Sequence, residues 1–244
     1  MDTYAIRTEK LCKRYRDTTA VDGLDLCVQT GELFALLGVN GAGKTTTIRM
    51  LCAQTKPTSG DAFLLGDSVV QSPQRVKAHL AVSPQETAAA PNLSVRENLA
   101  FMCGIHGFDH ARTQQKIDAM TERFCFSDVL GKKAGKLSGG WQRRLSIAMA
   151  LISEPEILFL DEPTLGLDVI ARAQLWEQIR ALKGKTTILL TTHYMEEAEA
   201  LADRIGIMRD GRLLLCGTAD EIKEKTSKEK FEDAFIAAVT GVTA

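Results

Sequence analysis

Residues 33–51 read LFALLGVNGAGKTTTIRML, and no other stretch restricts the fold as much. The nearly continuous apolar run Leu33–Leu37 suits a strand covered on both faces, as in a parallel sheet. Glycines at 38, 41 and 43 then permit a tight loop, and helical spacing resumes at Lys44. A strand, a G-x-x-x-x-G-K-[ST] loop and a helix in that order point backbone N–H groups and a helix N-terminus at one small volume, which favours a phosphate. Lys44 would bring fixed positive charge to the β- and γ-oxygens of a nucleotide, and the Thr45 hydroxyl could ligate Mg²⁺. The expected nucleotide contacts are therefore Gly38, Asn40, Gly41, Ala42, Gly43, Lys44, Thr45 and Thr46.

A second apolar run, EILFLDEP, delivers Asp161 and Glu162 to the end of another buried strand. In α/β sheets ligands bind beyond the carboxyl ends of the strands. Asp161 would hold Mg²⁺ through water, and Glu162 would polarise an attacking water as general base. A third stretch, KLSGGWQRRL, sets two glycines behind Ser138 and then opens a helix, again presenting bare N–H groups to an anion. It has no lysine of its own.

Between these stretches the periodicity changes. Residues 1–85 carry short glycine-punctuated apolar runs suited to strand pairs ahead of the first phosphate loop. Residues 86–137 turn helical: SVREN is a capping box with Ser94 as N-cap and Glu97 reaching back. Val95, Leu99, Met102 and Ile105 follow at helical spacing, and Ile117, Met120 and Phe124 mark a second helix. Strand–helix alternation returns over 138–225, with KTTILLTTH as a further buried strand and Leu175, Ile179 and Leu182 as a helix stripe. A tail over 226–244 spaces Phe231, Phe235 and Val239 as one helix face, expected to pack on its own domain, with a contact to a partner as the alternative. The expectation is a single α/β domain interrupted by a helical insert.

Composition narrows the function classes. The net charge is −1 with the two signs interleaved, and the absence of a basic block argues against nucleic acid as a ligand. Six cysteines show no C-x-x-C pair and are expected to be reduced and mostly buried, and the four histidines lack metal-ligand spacing. The N-terminus does not read as a signal peptide, and no apolar run approaches the roughly 20 residues of a membrane span. Work at a membrane would therefore require docking on a protein that spans it.

The order of these motifs resembles the nucleotide-binding subunit of ATP-binding cassette (ABC) transporters over essentially the whole chain: phosphate loop, VSPQ, helical insert, LSGG, LFLDEP, LGLD and TTH. The resemblance implies the P-loop NTPase fold of ABC ATPases, with N-terminal antiparallel strands, a RecA-like parallel core and an inserted α-helical subdomain. It implies ATP and Mg²⁺ as ligands, with Thr45, Gln85 and Asp161 at the metal. Tyr15 would stack on adenine. Gln85 would also touch the attacking water and link core to insert. Ser138, Gly139 and Gly140 would contact the γ-phosphate held by a second cassette packed head to tail, and Asp168 would organise that contact. His193 would bind the γ-phosphate from beyond the last catalytic strand. Trp141 departs from the glutamine or methionine common after LSGG. The PTLGLD stretch, the Gly217–Thr218 turn and the tail resemble drug, antibiotic and polysaccharide exporters. The implied setting is the inner face of the cell membrane, on an integral membrane subunit. The alternative is a soluble single-cassette ATPase without a transport role.

Overall fold

The computed structural model describes residues 4–241, so the first three positions of the 1–85 segment and the last three of the tail lie outside the described residues. The chain opens with three strands, β1 (Tyr4–Tyr15), β2 (Thr18–Leu24) and β3 (Cys27–Gln29). The buried strand β4 (Leu33–Gly38) follows, then α1 (Lys44–Leu51), β5 (Ser59–Leu64), β6 (Asp67–Ser68), a short α2 (Pro73–His79) and β7 (Leu80–Ser83). Two helices come next, α3 (Val95–Ile105) and α4 (His110–Phe124), and then α5 (Gly139–Leu151). The remainder alternates: β8 (Ile157–Asp161), α6 (Val169–Arg180), β9 (Thr187–Thr192), α7 (Met195–Leu201), β10 (Arg204–Arg209), β11 (Arg212–Gly217), α8 (Ala219–Thr226) and α9 (Phe231–Thr240).

Two sheets result. The N-terminal one is antiparallel, ordered β2-β1-β5-β6 with β3 also paired to β1. The larger runs β11-β10-β4-β9-β8-β7, all parallel except the edge strand β11. Period-2 alternation divides the residues of the parallel strands between two cores. Leu33, Ala35, Leu37, Leu158, Leu160, Ile188 and Leu190 join the helical side, while Phe34, Leu36, Ile157, Phe159 and Leu189 pack with Ile6, Val28 and Leu64 of the antiparallel sheet. A sheet covered on both faces explains the apolar runs at the centres of β4, β8 and β9.

The helical insert forms as expected, and its first cap is complete. Glu97 N donates to Ser94 Oγ at 3.2 Å, and Ser94 N donates to Glu97 Oε2 at 2.7 Å. Its apolar stripe is shorter than the spacing indicated. Val95 and Leu99 are buried, but Met102 is only half-buried and Ile105 is 61% exposed beside Phe101 at 57%. The buried face of α3 instead runs through Val95, Asn98, Leu99 and Cys103, so Ile105 falls outside it, and Ile117, Met120 and Phe124 of α4 join that core. Leu182 is buried too, although α6 has already ended. The tail helix α9 packs Phe231 and Phe235 onto α7, α8 and β10 of its own domain. The cysteines depart from expectation: all are free, but just Cys52 and Cys103 are buried, Cys12, Cys27 and Cys216 are half-buried, and Cys125 is exposed at the C-cap of α4.

Candidate active site

The sheet order assembles the site. In β4-β9-β8-β7 four neighbouring parallel strands end on the same edge. They carry there the phosphate loop after β4, His193 after β9, Asp161 and Glu162 at the end of β8, and Gln85 after β7. The residues are far apart in sequence and adjacent in space because parallel strands present all their carboxyl ends together.

The loop geometry follows from its glycines. Gly43 has φ +102°, and a Cβ there would lie 2.3 Å from the Ala20 carbonyl oxygen, so neither the backbone nor the space admits a side chain. Gly38 is needed for closeness instead: a Cβ would meet the Met208 carbonyl oxygen of β10 at 2.4 Å. The helix that opens at Lys44 has no side-chain cap and no acid in its first turn, which leaves its N–H groups and positive end turned to the loop. Lys44 is 5% exposed and donates to the carbonyls of Gly38 at 2.7 Å and Val39 at 3.2 Å. Its Nζ is 3.5 Å from Glu162 Oε1. Burial lowers the Lys44 ammonium pKa, and the charges of Glu162 and Asp161 oppose that shift.

The two carboxylates are held differently. Asp161 Oδ1 accepts from Thr191 Oγ1 at 2.5 Å and from Thr45 Oγ1 at 3.2 Å. Hydroxyl and carboxylate oxygens side by side are the hard donors that Mg²⁺ prefers, and Mg²⁺ is usually held by few protein ligands plus phosphate. Glu162 adopts φ +48°, a left-handed conformation that costs a non-glycine residue about 1–2 kcal/mol. Thr191 holds it there, accepting the Glu162 N–H at its own carbonyl and at Oγ1, both at 3.1 Å. The carboxylate then lies between Lys44 and His193, whose Nδ1 is 3.2 Å from Glu162 Oε2 without hydrogen-bond alignment.

These groups face a cleft of about 430 Å³ lined by Ala20, Asn40–Thr46, Gln85, Glu162, Leu165 and His193. A larger hollow of about 640 Å³ adjoins His193 from the α7–α9 side. Glu196, Glu199, Glu229 and Glu232 line it against Arg172 and Lys230, so it would repel a polyphosphate.

Other expected residues stand apart from the cleft. The Tyr15 ring is 43% exposed, at the end of the hairpin whose second strand supplies Ala20, and Lys13 Nζ sits over it at 5.0 Å. Ser138 and Gly140 line a different hollow with Asp168, Ile170 and Ala171. Ser138 is the N-cap of α5, but its hydroxyl makes no cap bond, whereas Asp168 caps α6 by accepting from Ala171 N at 2.8 Å. Trp141 packs its ring 6.1 Å from Phe126 and under the Arg144 guanidinium at 4.7 Å. Three residues escaped the sequence reading. Thr191 and Glu197 lie within runs that read as plain strand and plain helix, and nothing in the spacing of the RR pair singles out Arg143.

The sequence profile described as "ABC transporter" matches residues 21–165, more than half of the chain. The chain belongs to the ABC transporter family. It is an ATPase cassette with the P-loop fold of that family. Curated relatives include the daunorubicin resistance ATP-binding protein DrrA3 of Streptomyces coeruleorubidus, 42% identical over 93% of this chain and 72% of its own length. Another is the Nod factor export ATP-binding protein I of Burkholderia pseudomallei, 42% identical over 89% of the cassette and 72% of that protein. The probable multidrug ATP-binding protein YbhF of Escherichia coli is 38% identical over 96% of the cassette, which spans 41% of YbhF. Among solved structures, an ATP-binding subunit of an ABC transporter superposes with TM-score 0.85 at 26% identity, covering 96% of the cassette and 99% of that chain. The cassette also shares its fold with cbiO1 of Clostridium perfringens, at TM-score 0.81 and 24% identity over 97% of this chain and 100% of that one.

Glu197 gives the cassette a pH signature. It is wholly buried on α7 and accepts from Trp176 Nε1 at 3.1 Å. Burial raises its pKa above the usual glutamate value of 4.5, opposed by the Trp176 hydrogen bond and the nearby Arg172 charge. As pH rises the unfolded chain therefore gives up this proton first, and the folded state loses stability until the folded pKa is passed. Glu197→Gln removes that loss and keeps an oxygen for Trp176. The melting temperature of the variant relative to wild type should climb as pH rises above the ordinary glutamate value of 4.5. A constant offset would show that Glu197 does not titrate differently in the folded state.

Proposed function

We propose that this cassette is the power subunit of an exporter, hydrolysing ATP between two head-to-tail cassettes, in a homodimer or a heterodimer, and passing the resulting motion to an integral membrane partner. One observation carries the reading: Lys44, Glu162 and His193 converge on one cleft while the Ser138 loop, the other phosphate-directed feature, faces elsewhere. A loop that does not face its own nucleotide is free to close over another chain's. The export direction draws support from the drug-resistance and Nod-factor-export names of relatives at about 40% identity.

In this reading the N–H groups of residues 41–46 and Lys44 grip the β- and γ-phosphates. Thr45 and Asp161 would hold Mg²⁺, with Gln85 approaching from the β7 side. When bound, the ion supplies charge neutralisation across the β- and γ-oxygens. Glu162 accepts the proton of the attacking water, and His193 steadies both the Glu162 carboxylate and the γ-phosphate. Tyr15, at the hairpin tip, would reach the adenine.

Among the described residues no helix is long and apolar enough to cross a membrane, so the membrane partner must be a separate protein or a separate part of the chain. In this reading the partner docks on the insert near Glu86–Leu99, which the exposed Phe101 and Ile105 further along α3 support. Replacing Glu86 by lysine and Phe101 and Ile105 by aspartate should abolish co-purification with an integral membrane protein from detergent extracts. ATPase activity of the isolated cassette should stay within about twofold, as expected for surface changes away from the chemistry. Undiminished recovery of the membrane protein would count against docking there. Absence of any membrane partner in the wild-type extract would favour the alternative, a soluble cassette without a transport role.

A further inference from the structure

Arg143 sits one turn into α5, the helix that Ser138 opens, and is 7% exposed. Its acceptors are all backbone carbonyls: Nη1 donates to Pro84 at 2.5 Å, and Nη2 donates to Gln85 at 2.7 Å and to Glu162 at 3.0 Å. A buried guanidinium is costly, and burial lowers its pKa here against the nearby charges of Asp161, Glu197 and Glu162. An arginine forked onto three carbonyls from two different loops is hard to explain as surface decoration.

The geometry around Glu162 says what the fork does. The residue is held at φ +48°, and a strained conformation persists only where its surroundings over-determine it. Thr191 secures the Glu162 N–H, and Arg143 secures the Glu162 carbonyl. The backbone of Glu162 is thus fixed on both sides, which aims its carboxylate between Lys44 and His193. The same guanidinium grips Pro84 and Gln85, so the loop after β7 and the end of β8 are referenced to one point on α5.

We propose that Arg143 is a positioning residue for ATP hydrolysis, tying the helix opened by Ser138–Gly140 to the backbone of Gln85 and Glu162 and holding Glu162 in its strained orientation. The inference rests on the reading of Glu162 as general base. Any displacement of α5 that accompanies closure of the Ser138 loop is thereby conveyed to the base and to the Gln85 loop of the same chain. Lysine cannot replace the fork, because a single ammonium lacks the planar spread that reaches both loops.

The test uses the full chain with Arg143→Lys and Arg143→Gln, alone and combined with Glu162→Gln. Binding of a fluorescent ATP analogue and KM for ATP should change by less than about threefold, since no phosphate contact is touched. The kcat should fall by about 10- to 100-fold for Arg143→Gln, as for a misplacement of roughly 1 Å, with Arg143→Lys in between. In the Glu162→Gln background the same Arg143→Gln change should cost clearly less in the residual single-turnover rate than it does beside the intact base, because only the Gln85 loop is left to misplace. Thermal unfolding with and without nucleotide reports whether each variant folds, and Arg143→Lys decides the matter if Arg143→Gln does not. Wild-type kcat in the folded variants would overturn the proposal. So would losses that multiply in the double variant, or an apparent kcat that falls only in proportion to the folded fraction. Failure of both single variants to fold would assign Arg143 to stability alone and overturn it equally. Wild-type turnover by Glu162→Gln by itself would instead overturn the assignment of the base.

Discussion

Glu162→Gln should bind ATP normally and turn it over barely at all. A general base typically contributes about 10²–10⁴ in rate, or roughly 3–5 kcal/mol of barrier. Glutamine has nearly the same shape and the same tolerance of φ +48°, so the backbone bonds to Thr191 and Arg143 survive the change. What disappears is the proton acceptor and the negative charge 3.5 Å from Lys44. Losing that charge leaves Lys44 wholly to the phosphates, so affinity should hold or rise slightly. A cassette that grips ATP without cleaving it should collect as the closed dimer, visible on a sizing column run in ATP and Mg²⁺. Phosphate release measured beside it should be close to background. Wild-type-like release would remove Glu162 from the mechanism.

How much of this was legible beforehand depended on whether a residue's role is local. The phosphate loop could be read because its function is written in consecutive positions: a strand, glycines where side chains cannot fit, a lysine and a helix start. The capping box at Ser94–Glu97 was equally local. Strand order was not, since β4 pairs with β9 across more than a hundred residues of intervening chain, and β8 reaches the site only by pairing with the far side of β9. Thr191 illustrates the limit. Its side chain sets Asp161 and its backbone helps set Glu162, yet in the sequence it is one threonine of a buried strand. Arg143 is a harder case, because burial on a helix with only carbonyl partners leaves no pattern in spacing. The exposed Ile105 failed for a related reason: apolar spacing marked one stripe, while the face that is buried runs through the polar Asn98 and through Cys103.

Mixing two inactive variants should restore activity if the Ser138 loop acts on a second chain. Lys44→Ala removes the phosphate grip, and Ser138→Arg blocks the exposed mouth of α5. Each should be inactive alone, because every site of either homodimer carries one lesion. In a head-to-tail dimer each site combines Lys44 of one chain with Ser138 of the other. A mixed dimer therefore gathers both lesions in one site and leaves the other wholly wild type. Random pairing of equal amounts makes half the dimers mixed, so about a quarter of all sites are intact. Turnover near that fraction is expected if single sites can fire. Strict coupling between sites would suppress it, which is why ATP-driven association of the mixture must be measured beside phosphate release. The structure favours rescue, since Ser138 and Gly140 line a hollow shared with Asp168 and Ile170 and not the cleft that holds Lys44. Were the loop to serve its own chain, every site would keep a lesion and mixing would restore nothing. A cysteine pair at the phosphate loop and the Ser138 loop decides between suppression and error. If the mixture associates and still forms no crosslink between chains, the loop does not act in trans.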